Sequence, residues 1–232
     1  MCKGVNVSVG IVGGTGPLGA GLGLRLAVAG TPVVIGSREK ERAEEVTRDL
    51  VSPWLERGLD IGGLDIRGAE NVEAAQCDTV MVATPWDAVL QTVRPLVDVL
   101  ADRVVISVGT ALMKKGREFL AIAPPRGSVA ALLQSALPRS HVVGACHHLP
   151  AAPLLDLDAK LDADVLVCSD YQKAADETIG ILSVVDGLRP IYAGSLAAAA
   201  TIEAFTAILI TLNIRNKTET TLKIGGLGEQ HL

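Results

Sequence analysis

Aromatic residues are scarce: of 232 residues only six are Trp, Tyr or Phe, two of each. Proteins that hold nucleic acid stack bases on such rings and present a basic face. Here 21 Lys and Arg stand against 26 Asp and Glu, a formal net charge of −5, so nucleic acid is not an expected partner. Cysteine is sparse too. Cys2, Cys77, Cys146 and Cys168 stand singly, with no CxxC pair and no zinc spacing, as suits a reducing, cytoplasmic setting. Met1-Cys2-Lys3-Gly4 leads straight into an apparent strand and does not read as a signal peptide.

Aliphatic side chains and glycine are plentiful. The chain is 49% hydrophobic with a mean hydropathy of +0.38, and 24 glycines and 11 prolines punctuate it. Such a composition excludes intrinsic disorder and is enough for one large domain, or one domain with a smaller appendage. Ala193–Leu212 has the length and apolarity of a membrane span. It contains Glu203 and has no aromatic belt, so it is expected to be a buried helix packed against another subunit, with no membrane involved.

The first half alternates β-branched runs with helix-like stretches. Strands are expected at Val5–Val12, Val33–Ile35, Asp65–Arg67, Thr79–Ala83, Val104–Val108 and His141–Cys146. Helices are expected at Pro17–Ala29, Glu39–Arg57, Pro85–Leu100 and Ser128–Leu137. The strands are continuous apolar runs, as when helices cover both faces of a parallel sheet. The expected fold is therefore α/β, a Rossmann-type doubly wound parallel sheet. The pattern loosens near residue 147, which divides an N-terminal nucleotide-binding domain (1–146) from a smaller C-terminal α+β domain (147–232). In the latter, a strand at Val165–Cys168, a helix at Gln172–Asp186, a short strand at Ile191-Tyr192 and a long helix at Ser195–Leu212 are expected.

Gly14-Thr15-Gly16-Pro17-Leu18-Gly19 fits G-x-G-x-x-G between the first strand and the first helix. The first glycine permits the tight turn, the second lets a pyrophosphate approach the backbone, and the third lets helix and sheet pack closely. Free N–H groups at the helix start then hold the anion. A P-loop is excluded because Ala20, rather than Lys, follows Gly19. NAD-specific sites place a carboxylate at the end of the second strand. Here that end reads Gly36-Ser37-Arg38 with Arg42 nearby, a hydroxyl and cations suited to the 2′-phosphate of NADP. The same residues also read as a helix start capped by Ser37.

Thr84-Pro85-Trp86-Asp87 closes the fourth strand and matches a capping box, with Thr84 as cap, Pro85 first in the helix and Asp87 completing the box. The same residues could stand beside the nicotinamide. Val108 and Gly109 close the fifth strand, where glycine admits a ring closely. The cations of Met113–Arg117 and Pro124–Ser128 could face an anionic second ligand. His147-His148-Leu149-Pro150-Ala151-Ala152 closes the sixth strand. Neighbouring strand residues point to opposite faces, so the two imidazoles are not expected to share a metal.

These pieces, with Asp186-Gly187-Leu188-Arg189-Pro190, Ala193-Gly194 and the Glu203–Asn213 helix, resemble the NADPH-dependent reductases of coenzyme F420, a deazaflavin. The likeness runs from Val9 to about Leu227, and departs where bacterial relatives carry an Asn-Arg-Arg-Tyr-Lys-like run against Asn213-Ile214-Arg215-Asn216-Lys217 here. The resemblance implies NADP(H) on the N-terminal domain, coenzyme F420 in a groove against the C-terminal one, and a homodimer through the C-terminal helix. It places the nucleotide against Gly14, Thr15, Gly16, Pro17, Leu18, Gly19, Ser37, Arg38, Arg42, Thr84, Pro85, Trp86 and Val108. The deazaflavin would lie against His147, Leu149, Pro150 and Ala151. The implied reaction is reversible hydride transfer between nicotinamide C4 and deazaflavin C5, in which the protein chiefly positions two rings at roughly 3–3.5 Å. No acid–base residue is strictly required, and His147 is the one candidate. Two other readings stay open. One is an NADP-dependent reductase of a small imine, keto acid or hydroxy acid, which would need a proton donor such as Lys114 or Lys115. The other is a non-catalytic NADPH-sensing module.

Overall fold

A computed structural model describes residues 7–58 and 63–227. Cys2, the expected strand residues Val5 and Asn6, and the tail from Gly228 lie outside the described residues. An eight-stranded sheet organises the chain. In chain order its first four strands are β1 (Val9–Val12), β2 (Val33–Ser37), β3 (Ile66–Glu70) and β4 (Thr79–Val82). Next come β5 (Val104–Ser107), a separate antiparallel hairpin of β6 (Leu112–Lys115) and β7 (Glu118–Ala121), and β8 (His141–Gly144). Then follow β9 (Ala163–Ser169) and β10 (Leu188–Tyr192). The order across the sheet is β10-β9-β8-β5-β4-β1-β2-β3. All neighbours are parallel except β8 and β9.

The helices are α1 (Pro17–Val28), α2 (Lys40–Glu56), α3 (Asn71–Ala74), α4 (Val89–Val93), α5 (Val129–Ala136), α6 (Ala151–Leu155), α7 (Gln172–Ser183) and α8 (Ala199–Asn216). Every residue of β1, β4 and β5 is buried, because both sheet faces are covered. Ile11, Ile35 and Met81 pack with Leu22 and Leu26 of α1 and Leu182 of α7 on one face. Val12, Val80 and Val105 pack with Val93 of α4, Leu133 of α5 and Ile202 of α8 on the other. The stretch after residue 147 adds β9 and β10 to this same sheet, and Val165 and Val167 join the cluster of Ile11 and Ile35.

Two expectations fail locally. The helix read at Pro85–Leu100 is only Val89–Val93, followed by one 3-10 turn at Arg94–Leu96. Pro95 has no N–H to donate to the carbonyl of Gln91, so the α-helical ladder stops there although Arg94 keeps helical backbone, φ −52° and ψ −48°. The run Met113–Arg117, for which no strand was expected, forms β6 and a tight turn through Gly116, where φ is +62°.

The long apolar helix is α8. One face of it, Ala199, Ile202, Thr206 and Leu209, is buried within the chain, and so is Glu203. From Leu196 to Asn216 it is long and apolar enough to cross a membrane by length and composition. Its buried carboxylate is satisfied instead by two backbone N–H groups of α5.

Candidate functional site

Strands β2 and β3 lie to one side of β1, and β4, β5 and β8 to the other, so the chain reverses direction across the sheet between β1 and β4. Ligands of open α/β sheets bind beyond the carboxyl ends of the strands at such a point. A cleft of about 1480 Å³ lies there, lined by residues that follow β1, β2, β3, β4, β5 and β8 and by α8. Single-ligand pockets are commonly about 300–1,000 Å³.

The glycine loop between β1 and α1 is held by tertiary hydrogen bonds and close backbone contacts. The Gly13 N–H donates to Asn71 Oδ1 at 2.9 Å, and that of Gly14 to Gly36 O at 2.9 Å, which ties the loop to the ends of β2 and β3. A Cβ on Gly19 would stand 2.9 Å from Gly14 Cα and 3.0 Å from Ala83 Cβ, so only glycine lets α1 rest on the loop and on β4. A Cβ on Gly16 would meet no atom within 4 Å. That open side faces the cleft. Gly16 caps α1 without a side chain, Pro17 follows it, and the first turn has no acidic residue. The N–H groups there remain available to an anion.

At the end of β2, Ser37 and Arg38 line the cleft, as does Arg42. Ser37 does not cap the next helix. Glu39 takes the cap position, with no side-chain cap bond, and its N–H reaches Ser37 Oγ at a long 3.4 Å. Arg42 is paired with Glu45 at 2.6 Å, whereas Arg38 has no ion-pair partner among the described residues.

Thr84, Pro85 and Trp86 line the cleft, but the capping box does not form. Because α4 starts only at Val89, Thr84 caps nothing, and its Oγ1 is buried with no partner. Val108 and Gly109 line the next stretch of wall. Beyond β8, Cys146 adopts a left-handed backbone, φ +63°, and turns the chain into His147 and His148. Both rings are buried, each only 3% exposed. His147 Nδ1 lies 3.0 Å from Gly109 O and His148 Nε2 2.8 Å from Asp164 O, so the two are turned to different carbonyls. Burial, reinforced by His148 alongside, lowers the pKa of His147 to about 4. Its Nε2 has no partner. Leu149, Pro150 and Ala151 complete this wall.

Of the residues singled out in the sequence, Thr15 through Gly19, Ser37, Arg38, Arg42, Thr84 through Trp86, Val108, His147 and Leu149 through Ala151 share this one cleft. Gly14 does not line it; it is buried behind the loop. Nor do the cations Lys114, Lys115, Arg117 and Arg126. The hairpin that carries the first three packs on α8, where the Phe119 N–H donates to Thr211 Oγ1 at 3.0 Å. Among the described residues no lysine lines the cleft. Asn71, Thr206, Leu209 and Thr220, not singled out as site residues from the sequence, also line the cleft, and so does Asn213 from the run that departs from the bacterial relatives. The α8 residues recur at helical spacing (206, 209, 213), a signal that was present; Asn71 follows a short edge strand and has none.

A family model described as NADP oxidoreductase, coenzyme F420-dependent, matches residues 8–111. The F420-dependent NADP reductase of Methanocaldococcus jannaschii is 39% identical over 220 residues, 93% of this chain and 96% of that protein. Its namesake from Methanothermobacter thermautotrophicus is 33% identical over 99% of this chain and 100% of that one. An Arthrobacter sp. FB24 protein, provisionally described as an F420-dependent NADP-reductase, shares the fold with a TM-score of 0.75. That match covers 94% of this chain and 100% of the other at 19% identity. Streptomyces aurantiacus imine reductase shares it with a TM-score of 0.54 at 17% identity, over 90% of this chain and 60% of the other. With a glycine loop open to the cleft, a cationic end to β2 and relatives above 30% identity along nearly the whole chain, the protein belongs to the F420-dependent NADP reductase family.

Proposed function

We propose that this chain catalyses reversible hydride transfer between NADP(H) and coenzyme F420. The observation that carries the reading is the continuity of the cleft: one volume of about 1480 Å³ joins the open face of Gly16 to the wall of His147–Ala152. When bound, the reduced nicotinamide supplies a hydride, one proton with two electrons, to deazaflavin C5 and is left oxidised; the reverse step returns it.

The chain's own residues bind, orient and exclude water. The N–H groups at the start of α1 hold the pyrophosphate, and Ser37 and Arg38 take the 2′-phosphate. Thr84, with its orphaned hydroxyl, and Pro85, Trp86 and Val108 flank the nicotinamide. Leu149, Pro150 and Ala151 form an apolar wall for the deazaflavin, which needs no aromatic sandwich. His147 stays neutral, and its Nδ1 hydrogen bond holds Gly109 O in place rather than moving a proton to substrate. Lys114 and Lys115, the donors a reductase of imines or keto acids would need, stand outside the cleft.

We infer further that residues 147–232 form the deazaflavin-binding and dimerisation portion. A homodimer through α8 is supported by the apolar side chains that helix leaves uncovered, Phe205, Ile208 and Leu212. A reducing, cytoplasmic location is supported by Cys77, Cys146 and Cys168, all buried and unpaired.

Mixing the protein with NADP and reduced F420 and following the visible absorbance of the oxidised deazaflavin tests the activity. Growth of that band is expected. A flat trace from folded protein that binds NADPH would overturn the assignment in favour of a sensing module, and turnover of an imine or keto acid instead would favour the other reductase reading.

A further inference from the structure

One wall of the cleft is fastened to the helix that begins at the phosphate loop, and the fastener is a single guanidinium. Arg25 projects from the last turn of α1 toward the segment that contains and follows α6. Its Nε donates to Leu154 O at 3.2 Å, and the two hydrogens of its Nη2 are shared among Pro153 O at 2.7 Å, Ala159 O at 2.8 Å and Asp156 O. Four carbonyls of one short segment thus converge on one side chain. A turn earlier, Gly21 lets the two helices touch: a Cβ there would lie 2.7 Å from Leu154 Cβ. Leu154 itself is 1% exposed. Farther along, Arg57 after α2 pairs with Asp158 at 2.7 Å.

Neither Arg25 nor Leu154 lines the cleft, so neither touches a ligand in it. Each end of the junction nevertheless continues into a wall that does. The N-terminus of α1 carries Gly16 to Gly19, and the chain leading into α6 is Leu149-Pro150-Ala151. On the function proposed above, the first seats the nucleotide and the second the deazaflavin. We propose that Arg25 is a positioning residue that fixes the Leu149–Ala151 wall relative to the start of α1 and so sets the approach of the two rings between which the hydride moves. Hydride transfer is steep in distance, and a misplacement of about 1 Å can cost on the order of 100-fold in rate. A residue that sets the approach therefore acts on kcat without acting on nucleotide affinity. Arginine suits the task because Nε and Nη2 are fixed in one rigid plane, so the bond to Leu154 and those to the following carbonyls form together, whereas a lysine ammonium has no second nitrogen to fix its direction.

The test is Arg25→Met in the full chain. Expected are a fall in kcat of at least about tenfold, a Kd for NADPH that stays within about twofold by direct titration, and faster amide hydrogen exchange across residues 153–159. Arg25→Lys should regain part of the lost kcat. An unchanged kcat overturns the proposal. So does a loss of NADPH affinity in step with kcat, since that would mark a general loosening of α1. If Arg25→Met does not fold, Gly21→Ala presses α1 against Leu154 from the other side; the same split between kcat and Kd is expected, and an unchanged kcat overturns the proposal. The function and the positioning role fail differently. Wild-type protein that never turns over the cofactor pair removes both, whereas active wild type with equally active variants removes the positioning role alone.

Discussion

Glu203 of α8 accepts a hydrogen bond from the backbone N–H of Val129 at 2.8 Å, and another from Ala130 at 3.1 Å, so a carboxylate from one helix caps another. Ser128 caps the same end, accepting from the Ala131 N–H at 3.0 Å. Burial pushes the Glu203 pKa up to about 7, against the opposing pull of the two N–H groups. The folded state therefore holds a proton that the unfolded chain releases. This contribution to stability is present below the ordinary pKa of 4.5 and is lost as pH rises through about 7. A shift of this size is worth on the order of 3 kcal/mol. Glu203→Gln keeps the size and removes the titration, at the constant cost of one of the two backbone N–H bonds. Its Tm minus that of wild type should rise between pH 5 and pH 8; a difference flat with pH would show that Glu203 does not titrate there.

Gly16 and Gly19 belong to one motif but should fail in different ways. Alanine at Gly16 meets open space in the protein and obstructs only a ligand. An unchanged Tm with at least about tenfold weaker NADPH binding is expected. Alanine at Gly19 must displace Gly14 or Ala83, at a cost of about 1–3 kcal/mol to the fold. Thermal melts and NADPH titrations of the two variants separate the roles. Equal losses of stability would contradict the open cradle.

Arg38 and Arg42 should differ for a similar reason. Arg38 has no carboxylate partner among the described residues, and Arg42 is engaged with Glu45. Arg38→Ala should lower the NADPH-over-NADH ratio of kcat/KM by about 10- to 100-fold, the worth of charge-assisted hydrogen bonds. Arg42→Ala removes a surface pair worth about 0–1 kcal/mol and should change the ratio little. The reverse ranking would exchange their roles.

The alternation of strands and helices was legible in the sequence because it is local, and so was the glycine loop between β1 and α1, although the left-handed turn there falls on Gly13, φ +68°, and not on Gly14. Apolar runs mark doubly covered strands, whereas the close contact that demands glycine at position 19 involves Ala83 of a distant strand end. The capping reading of Thr84-Pro85-Trp86-Asp87 fails because capping patterns ignore tertiary contacts. A Cβ on Gly13 would lie 2.3 Å from the Thr84 side chain, a measure of how closely that side chain is held against the loop. The hairpin of Leu112–Ala121 was missed because its exposed lysines hide the alternation of a strand, and its support comes from α8, far along the chain. Asn71 and Arg25 make contacts 58 and more than 100 residues away in sequence, which no local pattern encodes.

His147 should behave as a neutral donor to Gly109 rather than as an acid. Its pKa, lowered to about 4, lies below the unfolded value of 6.5, so the folded state binds fewer protons over that interval. The corresponding stability is present above pH 6.5 and is lost as pH falls toward about 4. Between pH 5 and pH 9 the kcat profile should show no ionisation belonging to this ring. His147→Ala should cost less than tenfold in kcat, below the roughly 10²–10⁴ of general acid–base catalysis. A larger loss with a limb near pH 6.5 would assign proton transfer to His147.

The proposed dimer rests on a stripe that α8 leaves uncovered. Phe205, Ile208 and Leu212 are 36%, 54% and 40% exposed and follow one another at i, i+3 and i+7, along one face of the helix. The other side of the helix is already buried within the chain through Ala199, Glu203 and Thr206. A charge at Ile208 would therefore disturb nothing inside the protomer but would be buried without a partner in a symmetric contact, where the same residue meets its own surroundings from both sides. Ile208→Glu should yield a folded monomer with the Tm lowered only as far as the dimer stabilises it, and light scattering after size exclusion measures this directly. A variant that remains a dimer would place the contact on another face, and a wild-type monomer would remove the dimer altogether.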